Sequence, residues 1–232
     1  SGRRDFSYYS QYIDFSGKKI LDVGCGTGRK TMYYSRQSME VFGLDVNKSF
    51  IKKAHNLMKN HRRDRVDFLV ADGAHLPFRQ NTFDIVISND ALKHISNCRG
   101  TVLEMERVVN IGGHICINFA PLWHSPFGSH MDFKEFFSLP WVHLFFHEET
   151  IKDVLIKFGK IKERERCEPL FNHLNHITVG EYEKILNSTK LTILFSKLYT
   201  VSPFKLFLKT PFREFFVTQV ITLLKKVSDV PI

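Results

Sequence analysis

The stretch KKILDVGCGTG, from Lys18 to Gly28, constrains this chain more than any other. A short apolar run, Ile20 to Val23, breaks into Gly24-Cys25-Gly26-Thr27-Gly28, and a helix-compatible segment follows. A strand that enters a glycine-rich turn and leaves as a helix is a place to hold a ligand. The glycines let the backbone come close, and the helix start presents unpaired N–H groups. Spacing then excludes two ligand classes. A dinucleotide fingerprint needs G-x-G-x-x-G, and its third glycine falls on Arg29. A phosphate loop needs G-x-x-x-x-G-K-[ST]; Lys30 and Thr31 fit, but the second glycine is again Arg29. What remains is G-x-G-x-G behind Leu-Asp-Val.

Downstream, apolar runs and amphipathic stretches alternate. Residues 29–37 read as a short helix, Glu40 to Val46 as a buried strand ending in an acid, and residues 48–60 as an amphipathic helix carrying Phe50, Ala54, Leu57 and Met58 on one side. A strand follows at 66–71, and a fourth lies in the run Asn81 to Asn89. A helix at 103–109 stops at Asn110-Ile111-Gly112-Gly113, and a fifth strand runs from His114 to Phe119. Strand–helix alternation predicts a doubly wound α/β sheet, with the ligand outside the carboxyl ends of the strands. Gly24, Asp45, Asp72 and Asn89 all fall at such ends. Two later strands, at 190–201 and 217–224, bring the expected sheet to seven.

DVGCGTG resembles the first motif of class I S-adenosylmethionine-dependent methyltransferases. ADGAHLPF…NTFDIVISND is similar to the second characteristic block of their small-molecule, ubiquinone-type members, and E-x-x-R-V-V-N-x-G-G, with Glu104 and Arg107, is similar to a further stretch. The resemblance covers residues 18–120. It implies a Rossmann-like, mostly parallel sheet closed by a C-terminal antiparallel strand. It also implies S-adenosyl-L-methionine as cofactor and S-adenosyl-L-homocysteine as product. The cofactor-binding positions it implies are Asp22, Gly24, Cys25, Gly26, Gly28, Asp45, Val46, Asp72, Gly73, Asn89 and Asp90. Within that set Asp22 orients the turn and the methionine amino group, Asp45 takes the ribose hydroxyls, Val46 touches adenine, Asp72 accepts from its amino group, and Asn89 lies by the methionine part. Chemistry supports two of these roles independently: a carboxylate accepts from two hydroxyls without needing a donor, and an exocyclic amine requires an acceptor.

The expected reaction is methyl transfer to oxygen, nitrogen or carbon of a small or medium-sized acceptor. Candidate bases are His94, His124 and His130, with Tyr12 behind them. Pro121 to His147 is rich in histidine and carries both tryptophans. It reads as an insertion after strand five, within a lid or substrate region at 121–180, where Trp123, Phe127, Trp141 and Phe145 form an apolar wall and His124, His130 or Asp132 faces substrate. No metal-binding histidine spacing supports a metal site. Asn89-Asp90-Ala91-Leu92 stands where N-P-P-[YF] would mark methylation of a nucleobase amine.

The remaining organisation is a lead-in over 1–17, a cofactor-binding core over 18–120, and a closing helix and strand pair over 181–232, in one domain of 232 residues. Four cysteines without disulfide or metal spacing, and no opening signal peptide, point to the cytoplasm. No uncharged apolar run reaches the ~20 residues that span a bilayer. The net charge of +9 leaves nucleic acid as an alternative substrate. The Pro-bracketed segment 202–216 alternates phenylalanine with Lys205, Lys209 and Arg213, and offers peripheral contact with a membrane surface, which leaves a membrane-associated lipid methyltransferase as another alternative. A further alternative is a non-catalytic protein that binds the methyl donor or its product.

Overall fold

The structure, a computed structural model, describes residues 8–59, 65–129, 140–200 and 204–228. His130, Asp132 and residues 201–203 lie outside them. The central sheet has seven strands, β1 (Lys19–Val23), β2 (Glu40–Asp45), β3 (Val66–Val70), β4 (Phe83–Asn89), β5 (Val109–Phe119), β6 (Thr192–Thr200) and β7 (Val217–Lys225), in the order β3-β2-β1-β4-β5-β7-β6. β1 pairs in parallel with β2 and β4, β2 with β3, and β4 with β5, while β7 runs antiparallel to β5. The sheet is therefore the expected doubly wound one, closed by an antiparallel strand. Strand order reverses between β1 and β4, which places the ligand crevice of such a sheet at their carboxyl ends.

Central strands read as continuous apolar runs because both faces are covered. Ile20, Leu21 and Val23 of β1 and Val86 of β4 have no measurable exposure. Helices α1 (Arg29–Tyr34), α2 (Lys48–Lys59) and α3 (Cys98–Val108) connect the parallel strands. Met32, Tyr34, Ile51 and Ala54 from α1 and α2 enter the core cluster with Ile20, Val41 and Phe68. Asn97 caps α3, its side-chain oxygen accepting from the Gly100 N–H at 2.9 Å. From the lead-in, Tyr9 is buried and its hydroxyl donates to the Ile117 carbonyl at 2.9 Å. Tyr9, Ile13 and Phe15 of the lead-in thus pack on the core.

Two local expectations change. α3 ends at Val108 and β5 begins at once, so Gly112-Gly113 lies inside a strand and is not a helix stop. Its left-handed Gly112 (φ +81°) forms part of an irregular start, where the Gly112 N–H donates to the Lys226 carbonyl at 2.7 Å. Strict strand–helix alternation also breaks: residues 71–82 connect β3 to β4 through turns.

The chain divides into two compact units. The first comprises residues 1–119, 183–197 and 220–232, and the second 120–182 and 198–219. The second contains α4 (Val142–Phe145) and α5 (Glu148–Lys157), together with the first residues of α6 (Val179–Asn187). Ile151, Leu155 and Phe171 form its small core, against which Trp123, Val142, Ile161 and Leu170 pack.

Candidate cofactor site

The glycine turn follows β1 directly. Gly24, Gly26 and Gly28 all have left-handed φ, at +76°, +55° and +77°. A side chain at Gly24 would collide with the Ala91 Cβ, and one at Gly28 would come within 2.6 Å of the Phe68 ring. Around Gly26, by contrast, there is open space. Two of these glycines serve close packing, and the middle one leaves the turn approachable. The Gly24 and Cys25 N–H groups donate to the Leu44 carbonyl at 2.8 and 2.9 Å, binding the turn to the end of β2.

Asp45, at that end, fixes the turn from the other side. Its Oδ2 accepts from the Gly26 N–H and its Oδ1 from the Asn47 N–H, each at 2.9 Å. A carboxylate offers about four acceptor positions, so two remain for a ligand's hydroxyls. The next residue, Val46, is 73% exposed, an apolar side chain presented beside that carboxylate.

Beneath the turn, Asp22 is buried and its Oδ2 accepts from the Thr31 hydroxyl at 2.7 Å. Burial is the main cause that pushes its carboxyl up to about 6, against the pull of Thr31 and the Lys30 charge. Burial likewise pushes the Cys25 thiol far up, with Asp22 and Asp45 adding to it. Cys25 is therefore an inert wall group.

After β3, Asp72 Oδ1 accepts from the Ala74 N–H at 2.9 Å, and its Oδ2 meets His75 Nδ1 at 3.2 Å. The Ala74 bond leads the causes that hold its carboxyl below the usual range. Gly73 packs on Thr101. The following loop is clamped by Glu104 and Arg107: Glu104 Oε2 accepts from the Leu76 N–H at 2.8 Å, and the Arg107 guanidinium donates to the Phe78 and Leu76 carbonyls at 2.8 and 3.1 Å. Arg107 also holds both Glu104 oxygens at 2.7 Å.

At the end of β4, Asn89 is buried. Its amide donates to the Tyr34 hydroxyl, while its Oδ1 has no hydrogen-bond partner among the described residues. Asp90 has left-handed φ (+60°), and its Oδ2 takes the Lys30 ammonium at 2.7 Å. Lys93 is 5% exposed; burial lowers its pKa, Asp90 opposes that shift and Lys30 adds to it. His94 is exposed on the short turn that follows.

Every cofactor position expected from sequence thus lies in the first unit. His124 lies in the second, its ring stacked on Phe215 at 5.7 Å between centroids. His130 is outside the described residues. Tyr12 is 49% exposed and accepts from Lys197 at 3.3 Å. Thr31, Lys30 and Tyr34 were not anticipated as supports for Asp22, Asp90 and Asn89. Lys30 and Thr31 stood out only as a partial phosphate-loop match, and nothing in sequence joins Lys30 to a residue 60 positions away.

The second unit has a cavity of about 460 Å³, whose walls include Trp123, His143, His147, Phe171 and His176. Of the four aromatic residues expected to wall a substrate, it contains Trp123. Phe127 and Phe145 are exposed, and the Trp141 indole N–H donates to the Phe215 carbonyl at 3.0 Å. His176 (φ +59°) stacks on Trp123 at 3.8 Å between centroids. His143 Nε2 lies 2.6 Å from the Trp123 carbonyl, and burial lowers the pKa of the ring. Among the described residues no group of three or more His, Cys, Asp or Glu is placed to hold a metal ion, and no helix is long and apolar enough to cross a membrane.

Comparison with known proteins bears directly on the glycine turn and its acids. Residues 21–117 match the model of a methyltransferase domain. The matched stretch holds the glycine turn together with Asp45, Asp72 and Asn89. Similar proteins include the methyltransferase GfsG of Streptomyces halstedii, 31% identical over 50% of this chain and 43% of its own length. They also include a demethylmenaquinone methyltransferase of Renibacterium salmoninarum, 31% identical over 48% of this chain and 44% of its own length. The chain therefore spans under half the length of these relatives. Among solved structures, the [4+2]-cyclase SpnF matches with a TM-score of 0.64 at 15% identity, over 98% of this chain and 81% of that one. Likeness at that identity shows the fold alone.

Proposed function

We propose that this chain transfers a methyl group from S-adenosylmethionine to a small-molecule acceptor. The observation that carries the reading is Asp45, which braces the glycine turn through Gly26 and keeps acceptor capacity for two ribose hydroxyls. The residues present fit the cofactor. Asn89 Oδ1 is a buried acceptor awaiting a donor, Asp72 is an ionised acceptor suited to an exocyclic amine, and Gly26 leaves the turn open.

In this reading Gly24, Gly26 and Gly28 cradle the methionine end, with Asp22 behind them. Asp45 takes the ribose, Val46 and Gly73 flank adenine, and Asp72 takes its amino group. Asn89 and Asp90 bound the methionine part. Bound cofactor supplies an electrophilic methyl on its sulfonium. The work of the chain is then to align the acceptor, exclude water and accept a proton where the acceptor carries one. His94 follows Asn89 and Asp90 on the same loop and is the first base to test. Glu104 and Arg107 act at one remove, holding the loop behind Asp72.

The fold also matches that of a [4+2]-cyclase, so fold and donor binding by themselves leave the reaction open. Methyl-labelled cofactor, offered with phenolic, lipid and RNA acceptors, separates the readings. Label in a small-molecule product, with S-adenosylhomocysteine formed in equal amount and lost in His94→Gln, supports methyl transfer with His94 as base. Donor binding without transfer to any of them supports the non-catalytic alternative, and label in RNA replaces the acceptor class.

A further inference from the structure

The second unit exposes large apolar side chains on a segment that is firmly held. Residues 204–209 and 211–215 form two short 3-10 turns. Within them Leu206 is 86% exposed and Phe212 61%, and Phe215 is also exposed. Side chains three apart eclipse one another in a 3-10 turn. Phe212 and Phe215 are three apart in the second turn, as Leu206 and the exposed Lys209 are in the first. Loose packing does not explain the exposure. The Trp141 indole donates to the Phe215 carbonyl and meets the Phe216 ring edge-on at 5.8 Å, while Phe207 stacks on Phe216 at 4.4 Å. Phe145, which ends the helix that Trp141 starts, is 74% exposed as well.

Charge selects among possible occupants. The segment 204–216 carries three cations in sequence, Lys205, Lys209 and Arg213, and one acid, Glu214. Glu214 is turned inward: its two carboxylate oxygens accept from the Val179 and Gly180 N–H groups at 2.9 and 2.7 Å, capping α6. Among the described side chains, the segment shows solvent the apolar Leu206, Phe212 and Phe215 and the cation Lys209. Separate protruding side chains, with the exposed Lys209 among them, suit a fluid interface that admits them one by one. A long-stemmed cation among them keeps its charge at the level of the headgroups.

We propose that the 204–216 segment docks this protein on an anionic lipid surface, with Leu206, Phe212 and Phe215 entering the interface and Lys209 meeting lipid phosphates. The contact is peripheral and independent of the methyl-donor reading, because every residue it uses lies in the second unit.

The test is co-sedimentation of the full chain with phosphatidylcholine vesicles, with and without phosphatidylglycerol, at low and high salt. Wild type is expected to sediment with the phosphatidylglycerol vesicles, less with phosphatidylcholine alone, and less at high salt. Leu206→Ser and Phe212→Ser are each expected to weaken binding by about tenfold, since each withdraws one large side chain from the interface. Lys209→Glu is expected to erase the preference for phosphatidylglycerol while leaving weak binding. Circular dichroism and calorimetry with S-adenosylhomocysteine show that each variant keeps its fold and its first unit. Sedimentation with neither vesicle overturns the proposal, as does a Leu206→Ser/Phe212→Ser double variant that sediments like wild type. Concentration-dependent dimerisation of the wild type, abolished by that double variant and unaffected by vesicles, assigns the face to a second copy and overturns it too.

Discussion

The Gly26 N–H donates to Asp45 Oδ2 at 2.9 Å, joining the turn after β1 to the last residue of β2. The other oxygen of Asp45 accepts from the Asn47 N–H at the same distance, so one carboxylate braces both segments. Asp45→Asn has only one oxygen to offer and sets an NH2 against the other N–H. Its unfolding free energy in urea is expected to fall by about 1.5–3 kcal/mol, the range for losing a hydrogen bond to a charged group. Unchanged stability would mean that the turn holds its shape without the brace.

Gly24 is expected to tolerate no side chain, for two separable reasons. Its φ of +76° strains any L residue, and a Cβ would strike that of Ala91. Gly24→Ala is expected to lose on the order of 2–4 kcal/mol, a clash added to a strained backbone. Combining it with Ala91→Gly removes the collision and leaves the strain, so denaturant unfolding of the double variant is expected to recover part of the loss. Full recovery would show that φ carries no cost, and no recovery that Ala91 is not the obstacle.

Asp22 makes stability depend on pH in an unusual direction. Its carboxyl is raised to about 6 by burial, above its unfolded value, so the native state holds this proton more tightly than the unfolded chain does. The contribution is most favourable below pH ~4 and is lost as pH rises through ~6; the full effect is on the order of 3 kcal/mol. Asp22→Asn keeps an acceptor for Thr31 and is expected to flatten this part of the curve, read as the difference between variant and wild type in urea unfolding from pH 4 to 7. A difference that does not change with pH would place the Asp22 pKa near the ordinary carboxylate value. The same residue is expected to release a proton near pH 6 when the cationic methionine end of the donor binds, seen as a buffer-dependent heat in calorimetry.

Sequence carried the first unit well because its signals are local. β1, the glycine turn and Asp45 sit within one strand–turn–helix–strand unit, where apolar periodicity and glycine spacing state the geometry directly. Asp72 and Asn89 were legible because each ends its own apolar run. The supports for these residues were not. Lys30 meets Asp90 and Arg107 meets the Leu76 and Phe78 carbonyls only after the sheet brings distant segments together. Gly112-Gly113 misled because a glycine pair after a helix resembles a stop, although β5 had already begun. Aromatic residues at 123–145 carry no period that says which of them face inward: Trp123 lines the cavity with His143 and His176, whereas Phe127 and Phe145 are exposed.

The central claim is that this chain holds S-adenosylmethionine on the Gly24–Gly28 turn with Asp45 on its ribose. Titration calorimetry of S-adenosylhomocysteine into wild type and Asp45→Ala tests it directly, with unfolding curves to show that the variant is folded. The account expects a single site in wild type and affinity weaker by on the order of a hundredfold in Asp45→Ala, the loss of two hydrogen bonds to a charged acceptor. No binding by wild type, or equal affinity in a folded Asp45→Ala, would contradict it.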